Sequence, residues 1–305
     1  FVLLLEVPAG LAKNYKVAIC RTKSVKSFKK YLVTTQVKSR SQLLALTKGG
    51  SKRWDQTITT KGKVTSDPSK AFEVDEITLP DNNPWRSWMR PAALDFFADG
   101  KSMAISTWSG DVWIVSGLDG NLEKLQWTRY ATGLFHPLGL RIVDGLIYVQ
   151  GRDQITRLHD LNKDGEADYY ECFNNDIMIT TNFHEFSFEL HNDKAGNFYY
   201  VKGAPVKAGG EGFGNITPHH GAVIKVAKDG KSSEVIASGL RAPNGMTISP
   251  DDQITVSDNE GNWVPATPIH WVKEGGFYGV VPTATGGKAP DKRSNTLCFI
   301  PHKID

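Results

Sequence analysis

Phe96-Phe97-Ala98-Asp99-Gly100 leads into Met103-Ala104-Ile105-Ser106-Thr107-Trp108, and Gly110-Asp111-Val112-Trp113-Ile114-Val115 follows. Apolar runs of strand length that meet at Asp-Gly read as β-hairpins, because both central turn positions need φ > 0. The pattern returns three times. Residues 140–143 meet Asp144-Gly145 and lead into 146–149, then 154–158. Residues 188–190 and the turn at 193–196 lead into 198–201, then 222–226. Residues 246–249 and Asp251-Asp252 lead into 254–256. The turns lie roughly 45, 51 and 56 residues apart, somewhat above the ~40–45 of a simple propeller blade. Each unit offers about four short strands, and few stretches carry helical periodicity. The repeat predicts an all-β chain and a β-propeller rather than a sandwich, since a sandwich need not repeat. Leu297-Cys298-Phe299-Ile300 reads as the first strand of a fifth unit. A propeller that is six-bladed when complete is therefore expected to be truncated here.

The rest of the composition agrees. Among 305 residues there are 29 Gly, 8 Trp, 9 Tyr and 14 Phe, a mix suited to strands and tight turns. Hydrophobic residues at 40% and charged residues at 23% describe a folded chain. No apolar run approaches the ~18 residues of a membrane span. The chain starts without Met and is expected to be a processed form or a fragment. Cys20, Cys172 and Cys298 are far apart, without a C-x-x-C, and are expected to be buried free thiols. The net charge of +3 hides an asymmetry. Residues 1–70 hold 15 Lys and Arg against Glu6, Asp55 and Asp67, a net +12, so the remainder is −9. The shift predicts a small basic β-rich module over residues 1–75 before a propeller over 76–305. Its lysines are spread out and read as a solvated face, so no nucleic-acid partner is expected.

Four places carry side chains suited to chemistry. Residues 160–171 satisfy a twelve-residue calcium-loop pattern, with Asp160, Asn162, Asp164, Asp168 and Glu171 as oxygen ligands and Gly165 at the sharp turn. Strand-like flanks place that loop in a hairpin. His184, in Asn182-Phe183-His184-Glu185, is a candidate base at neutral pH. In Pro218-His219-His220-Gly221 the adjacent imidazoles point to opposite faces of a strand, so they do not share a metal, and His220 is expected to face a central pocket. Arg241 leads into the fourth unit, where its guanidinium suits a carboxylate or a quinone oxygen. Asp258-Asn259-Glu260 forms a second acidic turn able to hold a metal.

These residues resemble those of the glucose/sorbosone dehydrogenases that use pyrroloquinoline quinone. The likeness rests on His184 with Phe198-Tyr199-Tyr200, on Arg241-Ala242-Pro243-Asn244-Gly245, and on Ser257-Asp258-Asn259-Glu260-Gly261-Asn262 with Lys273-Glu274-Gly275-Gly276-Phe277-Tyr278-Gly279. Asn83-Pro84-Trp85 and Thr107-Trp108-Ser109-Gly110-Asp111-Val112-Trp113 resemble sorbosone-dehydrogenase-like propellers of large, haem-bearing bacterial secreted proteins. The resemblance covers about residues 75–305. It implies a periplasmic or secreted oxidoreductase passing hydride from a sugar or alcohol hydroxyl to the quinone, with a cytochrome as electron acceptor. His184 would be the base and Arg241 would polarise the quinone. Asn244, Gly261, Asn262 and His220 would contact the cofactor, and calcium, with Asp258 as a ligand, would anchor it. Ala242 departs from the amide side chain of the soluble glucose enzymes. Pro243-Asn244-Gly245-Met246 with Ser257-Asp258 also resembles calcium-dependent gluconolactonase-like propellers. In that reading Asn244 and Asp258 bind the metal and a bound water is the nucleophile. A propeller that only binds a protein or a glycan is the third reading.

Overall fold

The computed structural model describes residue 21 and residues 24–34, 44–260 and 266–301. The chain divides into two compact units, Phe1–Lys48 and Gly49–Asp305. In the first, Val25–Thr34 forms helix α1, and Leu46–Lys48 forms a 3-10 turn. Ser24 caps the helix, its hydroxyl accepting the Ser27 amide at 3.2 Å. The boundary expected at residue 75 thus lies earlier, and the described part of the first unit is helical rather than β-rich. The reason is local: Ile58–Thr60 (β1) joins a propeller sheet, which draws the segment after residue 48 into the second unit.

The second unit is built from four antiparallel blades. Blade 1 holds β1, β2 (Pro91–Phe96), β3 (Ser102–Thr107), β4 (Val112–Ser116) and β5 (Leu125–Ala131), with β1 outermost beside β5. Blade 2 holds β6 (Gly139–Val143), β7 (Leu146–Gln150), β8 (Ile155–His159) and β9 (Tyr169–Asn174). Blade 3 holds β10 (Ser187–Asn192), β11 (Phe198–Lys202), β12 (Ala222–Val226) and β13 (Ser233–Ser238). Blade 4 holds β14 (Gly245–Ile248), β15 (Ile254–Ser257), β16 (Ala266–Trp271) and β18 (Thr296–Pro301). A short β17 (Gly276–Phe277) runs parallel to β13 at the edge of blade 3. The strand expected to open a fifth unit is β18, and it closes blade 4 against β16 instead.

Alternation along the middle strands builds a core on each side of every inner sheet. Met103 and Ile105 face one cluster with Trp113 and Trp127, while Ala104 faces another with Leu140 and Val149. Phe198 and Tyr200 of β11 face blade 2, whereas Tyr199 and Val201 face Met246 and Val256 of blade 4. Strands buried on both faces read as near-continuous apolar runs, which is how they stand in the sequence. Polar ties link the inner strands: Asp95 accepts the Ile142 amide at 2.8 Å, and Arg141 donates to Asn192 at 2.7 Å. The Asp144-Gly145 turn has φ of 50° and 77°, the primed geometry expected of it, whereas at Asp99-Gly100 only the glycine is left-handed. Asp99 works there through its carboxylate, which accepts the Lys101 and Ser102 amides.

Candidate functional site

The segments that lead into the four inner strands carry Arg90, His136, His184 and Arg241. Propeller geometry brings such segments toward one axis. Between blades 1, 2 and 3 the contacts are aromatic. Trp108 lies 4.9 Å from the His136 ring and 5.0 Å from Phe186, and Phe186 lies 5.8 Å from His136 and 5.6 Å from His184. Arg90 covers the outer side of Trp108 at 4.6 Å. His136 holds a left-handed φ of 43°. Burial, and then the nearby Arg152 charge, push its imidazole below the usual histidine range. The Nδ1 atoms of His136 and His184 are both buried without a hydrogen-bond partner.

Beneath His184 lies a buried ionic cluster. Glu185 is fully buried, and its carboxylate accepts the Thr180 amide at 2.5 Å, the Thr180 hydroxyl at 2.9 Å, Arg152 at 3.2 Å and His220 Nε2 at 2.6 Å. Burial alone would raise its pKa. The Thr180 amide and the Lys202 charge outweigh that and hold it below the ordinary value. Lys202, also fully buried, donates to the Glu185 carbonyl at 3.0 Å, and burial lowers its pKa to about 8. Arg152 also donates to the carbonyls of Asn182 and Phe183, on the two residues preceding His184. His184 is therefore held by its backbone: its amide donates to Asn182 Oδ1 at 2.7 Å, and its ring packs against Phe183 and Phe186.

His220 is not at a cofactor surface. It is 1% exposed, its Nδ1 accepts the Thr217 amide at 2.9 Å, and its Nε2 donates to Glu185. A flanking glycine and a helix-free context drew attention to it in the sequence. The ionic partner that buries it, Glu185, lies 35 positions away and left no local signal. His219 turns the other way and accepts the Met178 amide, as alternation on a strand requires.

Arg241 is held on three sides. Its guanidinium donates to Asn259 Oδ1 and to the Gly210 carbonyl, and its buried Nε has no partner. Asp258 is 3% exposed, and its carboxylate accepts the amides of Arg241, Ala242 and Asn259 at 2.7–2.8 Å. Burial pushes its pKa up to about 6 against those three donors. Asp258 is thus the clamp of the Arg241-Ala242 turn rather than a free metal ligand, and Asn244 stands exposed. The pairing of Asn244 and Asp258 that the lactonase reading needs is absent. Gly261 and Asn262 lie outside the described residues.

The 203–214 segment bridges the two loops. Asn182 donates to the Pro205 carbonyl at 3.2 Å, and the Ala204 amide donates to the Arg241 carbonyl at 2.7 Å. It brings His184 and Arg241 onto one continuous surface. The 160–168 loop lies elsewhere, on blade 2, and gathers four of its five expected ligands. Asp160 accepts the Asp164 and Gly165 amides, Asn162 contacts Asp164 and Gly50, and Asp168 accepts the Gly50 and Leu161 amides. Glu171 does not join them: it sits on β9, paired with Arg157 at 2.7 Å and His159 at 2.6 Å. Among the described residues no group of three His, Cys, Asp or Glu side chains is assembled to hold a metal ion. Cys172 and Cys298 are exposed rather than buried, and Cys20 lies outside the described residues.

No protein-family model matches the chain, and no curated protein matches it at a significant level. Solved structures do. A PQQ-bound aldose sugar dehydrogenase from Streptomyces coelicolor is 14% identical, with a TM-score of 0.51 over 69% of this chain and 68% of its own. The apo form of the soluble aldose sugar dehydrogenase from Escherichia coli gives 14% and 0.51 over 69% and 72%. A structure described as glucose dehydrogenase gives 14% and 0.52 over 69% and 72%. The four blades therefore have the fold of the glucose and aldose sugar dehydrogenase propellers.

Proposed function

We propose that the chain is the quinone-dependent sugar or alcohol dehydrogenase-like propeller of a periplasmic or secreted protein, with a cytochrome as electron acceptor. The observation that carries this reading is the pair of unpartnered buried nitrogens, His184 Nδ1 and Arg241 Nε, on two loops tied to one 203–214 segment. Buried polar atoms without partners are rare and mark places where a ligand completes the bonding. Both fit pyrroloquinoline quinone, which supplies a two-electron acceptor when bound. His184 takes the proton of the substrate hydroxyl, and its neutral ring suits that role at neutral pH. Arg241 sits where negative charge develops and is pre-oriented by Asn259 and Gly210. Phe183 and Phe186 flank the imidazole and keep water from it. Calcium belongs to the reading at Asp160, Asn162, Asp164 and Asp168, which would exchange amide hydrogen bonds for the ion.

The test is dye reduction with a panel of sugars after reconstitution with pyrroloquinoline quinone and calcium. His184→Ala is expected to lose at least ~10²-fold in turnover, the low end of general-base contributions. A parent protein that neither binds the quinone nor reduces dye would end the proposal.

A further inference from the structure

Blade 4 contains a cavity of about 290 Å³ that His184 does not line. Its walls include Phe213, Val281, Pro282 and Phe299, and its polar groups come from two arginines. Arg241 enters from the loop before β14, with its Nε buried and unpartnered. Arg293 enters from the loop between β17 and β18. Neither guanidinium has an ion-pair partner among the described residues. Asp258 also lines the cavity, but its oxygens are taken by three backbone amides. Tyr278 is likewise committed, donating to the Trp271 carbonyl at 2.7 Å and accepting the Lys273 amide at 2.9 Å. His270 stacks on Tyr278 at 4.4 Å, and burial and the Arg293 charge keep its ring neutral at physiological pH. What the cavity lacks is an anion, and its aromatic and aliphatic walls call for an apolar, flat body behind the charge.

We propose that this cavity binds a planar aromatic carboxylate, with Arg293 and Arg241 holding the carboxylate and Phe213 and Phe299 flanking the ring. The assignment stands on the cavity and does not require the dehydrogenase reading. Two sources share this chemistry: a carboxylate-bearing edge of the quinone, or a free aromatic acid. Guanidinium pairs with carboxylate in a bidentate, directional way, so the charged group should decide affinity.

Calorimetric titration with quinoline-2-carboxylate and with the neutral quinoline-2-methanol tests this. The acid should bind at least about tenfold more tightly than the alcohol, and Arg293→Gln should remove most of that difference, as loss of one charge-assisted pair implies. Arg293 is exposed, so the variant is expected to fold, and its melting curve verifies that. Val281→Trp, which narrows the mouth, should weaken acid and alcohol alike. Equal binding of acid and alcohol, no binding of the acid, or an acid affinity untouched by both substitutions would overturn the assignment. Displacement of the bound acid by pyrroloquinoline quinone would identify the quinone's edge as the occupant, and simultaneous binding would identify a free acid; either supports the site. Acid binding by a protein that never binds the quinone would uphold this inference while ending the dehydrogenase reading. Dye reduction unaltered in a protein that ignores the acid would do the reverse.

Discussion

Asp258 shows how a single carboxylate can be misjudged from its neighbours in sequence. Ser257-Asp258-Asn259-Glu260 reads as an acidic turn open to a metal, yet three amides from two loops close around the side chain. Its pKa, raised from 3.8 to about 6, ties it to stability. The native carboxyl holds its proton more tightly than the unfolded chain does. Its favourable contribution is complete below about pH 3.8 and is lost as pH rises through about 6. Chemical denaturation at pH 4 and at pH 7 should therefore show a loss that Asp258→Asn does not share, up to roughly 3 kcal/mol for a shift of about two units. Parallel pH profiles for the two proteins would refute the assignment. His184 and Arg241 were legible because each stands alone beside glycine, proline or asparagine in a turn. Glu185, Arg152, Lys202 and His220 were not, because their pairing spans three segments of the chain. Lys202 did leave a trace: it is the only charge in Phe198-Tyr199-Tyr200-Val201-Lys202, a strand buried along its whole length.

Among the elements, hairpins were the easiest to read, since each reports its own turn. The 143–146 turn follows the sequence rule at both central residues. β1 and β18 were not readable in the same way. Both are outer strands whose partners lie far off in sequence, β1 on β5 and β18 on β16, so local pattern gave their type without their place. The 160–168 loop has the same character. Its residues announce calcium, and it also holds the 49–54 segment: Glu166 accepts the Arg53 and Trp54 amides, and Lys52 donates to the Asp164 carbonyl at 3.1 Å. Calcium at a hundredfold its dissociation constant would add about 2.7 kcal/mol if it binds the native state alone. Melting curves with calcium and with chelator should separate accordingly. Coincident curves would leave the loop as a clasp for residues 49–54 and nothing more.

Across the whole second unit, each blade is stabilised by its neighbours in the ring. Blades 2 and 3 are covered on both sides, whereas Leu94 and Phe96 on β2, and Leu297 and Phe299 on β18, are about half exposed. Opening should follow that gradient, because exchange protection tracks local burial and contact. Hydrogen exchange read by mass spectrometry is expected to show β7, β11 and β12 as the slowest amides and β2 and β18 as faster. Equal protection of β18 and β12 would contradict this. The aromatic contacts at the axis carry a different consequence. Trp108 belongs to blade 1, but its indole touches His136 from blade 2 and Phe186 from blade 3. A protonated imidazole quenches a neighbouring indole, so the protein contains an optical gauge of how three blades are registered. Its emission should dim on acidification below the ordinary histidine range, since His136 resists protonation. Trp108→Phe should abolish that titration while the other tryptophans continue to emit.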